Sequence, residues 1–518
     1  LKSRHVQLIS IGGVIGTGLF LGTANALRHG GPLGLLMGFA ALGSVCYAVM
    51  VSLGEMIAHL PVSGGHITLA HRFVDPAFSF AMGYNYWYNW TIVLPAELNA
   101  AAVLIGYWSD VNAGVWITVC LVVAVAINLG GTKAYGECEF WFAIIKVITI
   151  VGLILLGIIL DAKPDANGDR IGFRYWRNPG PFVQYMDVPG SLGRFLGFWA
   201  VLIQAAFSFI GTEIVAIAAG EAKNPKKNLP KAIKRVYIRI IVFYILGTLI
   251  IGLLVASNDP RLNLGTNDAA SSPFVIAIQN AGIPALPSII NAALLTSAWS
   301  AASSDLYTGS RALYGLALNG NAPKILRRVN SWGLPYLCVA VGAAFALLSY
   351  MSVGAASAGK VFGYFSNMTS VCGLITWAAI AFTYIRFHKA AKIQGLDRRT
   401  LPYRAPLQPF LAYYALVFCI IILFFNGFAV FIHDGSEGPY VFDKSTFITS
   451  YFPIVFFPVL YFGFRVFGKS EVVDLSIADL QTGSRVEEER DEEEKTPKNA
   501  VQKFWAWCVS RALASLKM

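Results

Sequence analysis

The sequence predicts an all-α polytopic membrane protein with twelve transmembrane helices, built as a five-plus-five inverted repeat in which helices one and six are broken. Three observations predict it. Of 518 residues, 56% are hydrophobic and only 13% charged, about half the charge of an ordinary soluble domain. The apolar residues gather into blocks long enough to cross a hydrocarbon core, which takes about 20 helical residues. The first and sixth blocks share an interruption, with Gly211 and Thr212 echoing Gly16 and Thr17.

Twelve blocks are legible, at 8–27, 34–60, 78–108, 112–130, 139–160, 195–219, 236–256, 285–317, 335–352, 361–387, 407–432 and 446–467. Lys and Arg set their orientation. The loops after blocks six, eight and ten carry Lys223, Lys226, Lys227, Lys231, Lys234 and Arg235, then Lys324, Arg327 and Arg328, then Arg386, Lys389, Lys392, Arg398, Arg399 and Arg404. Those loops share one side, read as cytoplasmic. An even number of spans then puts both termini there as well. The longer loop 161–193 also holds cations, beside several aspartates. This topology accounts for the net charge of +11 through basic loops near anionic membrane lipid, with no call for nucleic acid. The seven cysteines are scattered, without the spacing of a metal site or a disulfide framework.

Blocks one to five, about 8–160, form one expected repeat, and blocks six to ten, about 195–387, the other; the segments at about 407–467 are additions. Residues 469–518 read as a cytoplasmic tail. Its acidic run "EEERDEEE" (487–494) is expected to be disordered, and the segment after it, with Trp505 and Trp507, is either an interfacial amphipathic helix or unstructured.

The stretch "IGGVIGTGLF" (11–20) holds four glycines inside an apolar run, each costing a helix about 1 kcal/mol relative to alanine. Close helix packing through small residues is one account. The matching interruption in "FSFIGTE" (207–213) favours another, because paired breaks in corresponding spans point to a transporter site. An unwound backbone in the bilayer is tolerated only where it is buried in protein or lines a cavity. There its amides suit an anionic group and its carbonyls an ammonium, so two adjacent breaks match a zwitterion.

With "GEMIAHLPVSGGH" (54–66), "LPAEL" (94–98), "FWFAIIKV" (140–147) and "FSFIGTEIVAIAAGEAKNPKKNLPKAIKRV" (207–236), the chain from about 3 to 467 resembles fungal amino-acid permeases of the amino acid–polyamine–organocation superfamily. The resemblance implies import of L-amino acids with protons across the plasma membrane by alternating access. It also implies that the Thr17 hydroxyl and the Gly16, Thr17 and Gly18 amides hold the substrate carboxylate. Carbonyls of Val14, Phe207 and Ile210 would hold the ammonium, with Phe207 or Phe209 closing over the side chain. In related permeases a lysine at the position of Lys146 stands where sodium-coupled relatives bind their cation.

Ionisable residues inside spans are rare and tend to mark pathways. Glu55, Glu97, Lys146 and Glu213 stand out by position. Lys146 is the first candidate for proton coupling, with Ser303 and Ser304 as neighbours; snorkelling to the interface is the alternative. Glu213 is the second, or else a partner for unwound backbone. Glu97 either faces the pocket or ties helices together, and Glu55 reads as a gate or loop anchor. His66 and His71 are expected in a connection.

No dedicated charge for a substrate side chain is evident beyond Glu97, so the expected substrate is a neutral amino acid, with proline among the candidates. No cofactor, metal or catalytic motif is present, and an enzyme is not expected. Two rivals share the fold: a sensor that binds amino acids without transporting them, and a carrier of polyamines or other organic cations.

Overall fold

The computed structural model of the chain describes residues 16–62, 64–163, 170–214, 233, 236–263, 272–331, 333–353, 358–432, 442–468 and 470–482. Among them there are helices and turns but no strand. A π-helical turn at Gly18–Gly22 leads into α1 (Thr23–His59), followed by α2 (Gly65–Phe73), α3 (Pro76–Ile105), α4 (Ala113–Leu129), α5 (Gly131–Ala162) and α6 (Gly190–Phe209). A second π-helical turn at Ile240–Ile245 opens α7 (Leu246–Leu254); then come α8 (Pro273–Asn280), α9 (Leu286–Leu318), α10 (Tyr336–Ala346), α11 (Ala358–Ile393), α12 (Phe410–Phe424) and α13 (Lys444–Gly468).

Each of the twelve apolar blocks overlaps a helix. The first two run together through α1, which turns a corner at Gly31 with φ 73° just ahead of Pro32. Eight helical segments among the described residues are long and apolar enough to cross a membrane. Helices α3 and α9 fall outside that set for a physical reason. They pack along each other inside the bundle, so they face protein and can carry Asn85, Asn89, Glu97, Asn99, Ser300 and Asp305, all buried. The outer helices reverse the pattern. Helix α13 exposes Val455, Val459, Phe462 and Val466, and α5 exposes Ile148, Leu155 and Ile159, as expected where lipid tails are the solvent.

Local sequence sets several boundaries. Asp75 caps α3 by accepting from the Phe78 amide at 2.6 Å, with Pro76 at the first helical position where its missing N–H costs nothing. Asn112 caps α4 by accepting from Gly114 N at 2.8 Å. The short helix α2 was not expected from the sequence, which read this stretch as a connection. It places His66 in the interior, edge-on to Tyr86 at 4.9 Å between ring centres, and leaves His71 exposed.

One end of the bundle is tied by polar contacts. Glu55 is fully buried near the end of α1 and accepts both arms of the Arg398 guanidinium, at 2.7 and 2.8 Å. It also accepts from the Tyr384 hydroxyl at 3.0 Å and the Ala405 amide at 2.7 Å. Glu55 thus anchors the connection between α11 and α12. Residues 470–482, placed with the tail by sequence, lie against the same end as a strap. Val473 N donates to Val74 O at 2.9 Å, Arg386 donates to Val473 O at 2.6 Å, and Gln394 donates to the Leu475 and Ala478 carbonyls at 2.9 and 2.8 Å. The basic residues 223–232, 234 and 235, the acidic run 487–494 and the segment with Trp505 and Trp507 lie outside the described residues.

Replacing one partner of a buried ion pair strands the other. Glu55→Ala is therefore expected to destabilise the protein by about 3–5 kcal/mol, seen as a lower unfolding midpoint in detergent. Arg398→Lys should recover only part of that loss, because an ammonium cannot make the two-armed contact.

Candidate functional site

The end of α6 meets the first span. The described part of that span opens with Thr17 and the π-helical turn Gly18–Gly22, while α6 stops at Phe209, where Ile210 turns extended (ψ 146°) and Gly211 takes φ 87°. That φ is open to glycine and strained for a residue with a Cβ. A Cβ on Gly211 would also lie 3.0 Å from the Trp90 ring, and one on Gly18 would lie 2.9 Å from the Ser208 Cα and 3.0 Å from the Phe207 ring. Glycine at 18 is thus what lets one break touch the other. Beyond α6 the carbonyls are taken up locally: Tyr244 donates to Ser208 O at 2.9 Å, and Thr212 to Phe209 O at 2.6 Å through its hydroxyl.

Phe207 and Phe209 part company here. Phe209 is fully buried in the core, its ring 4.4 Å from Tyr244 and 5.9 Å from Phe39. Phe207 is half-buried at the break, edge-on to Phe362 at 5.7 Å and packed with Tyr86, Trp90 and Val93. Residues two apart on a helix point about 200° apart, so only one can face the break.

Thr17 is buried, and its hydroxyl donates to Glu97 Oε1 at 2.9 Å. Glu97 Oε1 would be 3.7 Å from a Cβ on Gly16, so this carboxylate borders the first break directly. Lys146 does not snorkel; it is 1% exposed, with Nζ 3.9 Å from Glu139 Oε1. Its charge acts on Glu97, Glu139 and Asp305. Among the described residues, Glu97 Oε2, Lys146 Nζ, Glu139 Oε1 and Asp305 Oδ2 are buried with no hydrogen-bond partner. One carboxylate beside the ammonium and two more within its field, in surroundings that penalise each unpaired charge, make a group of side chains suited to exchanging protons.

Sequence reasoning passed over Glu139 and Asp305. Glu139 lies seven residues before Lys146, two turns along the same face, and a lysine side chain reaches back toward the helix N-terminus; that spacing was the available signal. Asp305 was hidden among the serines of α9. Of the two serines proposed as neighbours, Ser304 donates to Glu139 Oε2 at 3.3 Å, whereas Ser303 Oγ accepts from Asn128 at 3.3 Å. Ser300 makes the shorter contact with Glu139 Oε2, at 2.6 Å. Glu213 stands apart from this cluster, accepting from the Trp377 indole at 3.2 Å beside Thr212, which accepts from Arg239 at 3.2 Å. Val14 lies outside the described residues.

Residues 5–477 match the family model for amino acid permeases. The chain belongs to the amino acid permease family. It is 46% identical to the dicarboxylic amino acid permease of Saccharomyces cerevisiae over 87% of this chain and 74% of that one. It is equally identical to the proline-specific permease of Emericella nidulans, over 87% of this chain and 82% of that one. The lysine-specific permease of Saccharomyces cerevisiae is 43% identical over 88% of this chain and 73% of the relative. The permease is thus a multi-pass membrane protein of an amino-acid transporter family, not of an enzyme class. Relatives named for acidic, neutral and basic amino acids stand at nearly the same distance, so identity over the whole chain does not select its substrate.

Two glycines of the first break test the close approach. Gly18→Ala should lower amino-acid uptake sharply, since the Cβ meets backbone at Ser208 and overpacking costs about 1–3 kcal/mol. Gly22, where an added Cβ would have nothing within 4 Å, should accept alanine with uptake near wild type. Labelled uptake in vesicles containing matched amounts of folded protein checks both.

Proposed function

We propose that this permease imports neutral L-amino acids, proline among them, by proton symport across the plasma membrane, with both termini in the cytoplasm. The observation that carries the reading is Lys146, buried at 1% exposure and 3.9 Å from a carboxylate, in a cluster with two more. A permanent charge set of this kind is costly at mid-membrane, whereas one that gains and loses a proton in each cycle explains its presence.

The substrate carboxylate would sit on the Gly16, Thr17 and Gly18 amides. Its ammonium would take the Phe207 and Ile210 carbonyls, since those of Ser208 and Phe209 are engaged, with Val14 contributing from the other break. Thr17 links this site to the proton. Its single hydroxyl hydrogen is given to Glu97 at 2.9 Å. Once Glu97 is protonated, the carboxyl can donate to Thr17 Oγ1 instead, and the hydroxyl hydrogen turns to the incoming carboxylate. Protonation and substrate binding then favour each other, as symport requires.

Neutral substrates fit because Glu97 is already engaged by Thr17 and lies within the field of Lys146, which leaves it poorly placed to balance a cationic side chain. Phe207, beside Trp90 and Tyr86, would close over the apolar part of the substrate. Glu213 serves the second break, and Ser304 the lysine cluster.

The test is uptake of labelled proline and other neutral amino acids into proteoliposomes, with and without an inward proton gradient, comparing wild type with Lys146→Ala. Gradient-driven accumulation should collapse in the variant, by about a hundredfold or more, while binding persists. Binding without accumulation by wild type would favour a sensor, and competition by polyamines but not by neutral amino acids would favour an organic-cation carrier.

A further inference from the structure

On the side of Lys146 away from Glu97, polar groups continue along α5 and α9. Glu139 divides its carboxylate: Oε2 receives the Ser300 and Ser304 hydroxyls at 2.6 and 3.3 Å, while Oε1 faces Lys146 Nζ at 3.9 Å and has no hydrogen-bond partner. Tyr135, one turn before Glu139, donates to Ser304 Oγ at 3.1 Å and stacks on Tyr307 at 4.0 Å with planes 9° apart. The Arg311 guanidinium lies over the Tyr307 ring at 3.4 Å. Lys146 and Glu139 are fully buried, Tyr135 is 5% exposed, and Ser304, Tyr307 and Arg311 are partly exposed. Burial relaxes from Lys146 toward the start of α5 and the end of α9, where the basic residues Lys324, Arg327 and Arg328 follow.

We infer that Glu139 is the proton acceptor of Lys146 on the cytoplasmic side, and that Ser304, Tyr135, Tyr307 and Arg311 line the way by which the proton leaves. This rests on the proposed proton symport and orientation. In the step, an N–H bond of the Lys146 ammonium breaks, its electron pair stays on the neutral amine, and an O–H bond forms at Glu139 Oε1. The result is a neutral pair, which a low-dielectric interior favours over two separated charges. Water entering from the cytoplasmic end then takes the proton from Glu139 and restores its carboxylate, whose Oε2 receives the two serine hydroxyls.

Among the described residues, the groups that interact with Glu139 lie on two helices. On its own helix they are Lys146, Tyr135 and Cys138; on α9 they are Ser300, Ser304 and Asp305. Asp305 is influenced in turn by Glu97, so the acid that borders the substrate break and the acid proposed for release are joined through one lysine and one aspartate. Loading from the substrate side and release toward the basic end can use different carboxylates, which keeps the two openings from sharing a single proton path.

Glu139→Gln keeps the size of the side chain and an acceptor for the serines but cannot carry the proton. In proteoliposomes preloaded with unlabelled proline, exchange of labelled proline should survive. Accumulation driven by an inward proton gradient, and the matching acidification read by an internal pH dye, should fall by about a hundredfold. Accumulation and acidification at wild-type levels would overturn the inference, as would equal loss of exchange and accumulation in protein that is folded and binds proline. Should the variant fail to fold, Ser300→Ala with Ser304→Ala leaves Glu139 in place without its donors. Its carboxylate should then hold the proton more tightly, and internal acid should inhibit uptake from a pH higher by about half a unit or more; an unmoved profile would overturn the inference. Wild-type protein that accumulates proline without a proton gradient would instead refute the symport reading beneath it.

Discussion

A break in a helix at the middle of an apolar bundle needs partners for its amides and carbonyls, and in this permease the break at the end of α6 lies against the π-helical turn Gly18–Gly22. The contact of Gly18 with Ser208 and Phe207 brings the opening of the first span and the end of α6 together. Other features follow from it. Gly211 can turn because Trp90 stops just short of it, Tyr244 reaches across to the Ser208 carbonyl, and Phe39, Phe209 and Tyr244 fill the space behind. A methyl group at position 18 would force these elements apart, although position 22, one turn on, borders open space.

Charge is arranged with the same economy. The interior helices α3 and α9 carry Glu97 and Asp305, the inward face of α5 carries Lys146 and Glu139, and among the described residues one atom of each has no hydrogen bond. In a static scaffold such orphaned groups would be a liability, since each costs about 1–3 kcal/mol. On the proposed symport reading they are sites where a proton or a displaced hydroxyl would arrive. Glu55, by contrast, has four hydrogen bonds to three partners and serves as a fixed anchor. All of these carboxylates are buried, and they differ in how fully their hydrogen bonds are satisfied.

Much of this could be read from the sequence. Block lengths located the helices because hydrocarbon thickness fixes how many residues a span needs. Gly211 marked the end of α6, and the glycines of the first span pointed to its close approach to that end. Lys146 was conspicuous as a cation among aliphatic residues. Glu139 was not, because it stands where an apolar block begins and such a residue reads as the block's polar edge; its burial depends on α9 packing over it. Asp305 was masked by a serine-rich face that lowers the hydropathy of α9 only because other helices shield it from lipid. Choosing between Phe207 and Phe209 required knowing which face of α6 meets the first break, which is a property of packing. The strap was hidden for a related reason: residues 470–482 have the composition of a loop, and their order comes from the helix ends beneath them.

That strap is held in an unusual way. Arg386, Gln394 and Arg72 reach it through its backbone carbonyls, and Val473 pairs with Val74 main chain to main chain. Few of these bonds depend on which side chains the strap carries. Its attachment should resist any change in length, because inserting or deleting one residue would slide every carbonyl past its donor and lift Ala478 and Leu480 out of the core. Over evolutionary time the spacing between α13 and Thr482 would then be kept, together with the small and apolar side chains at 478 and 480 that sit in the core.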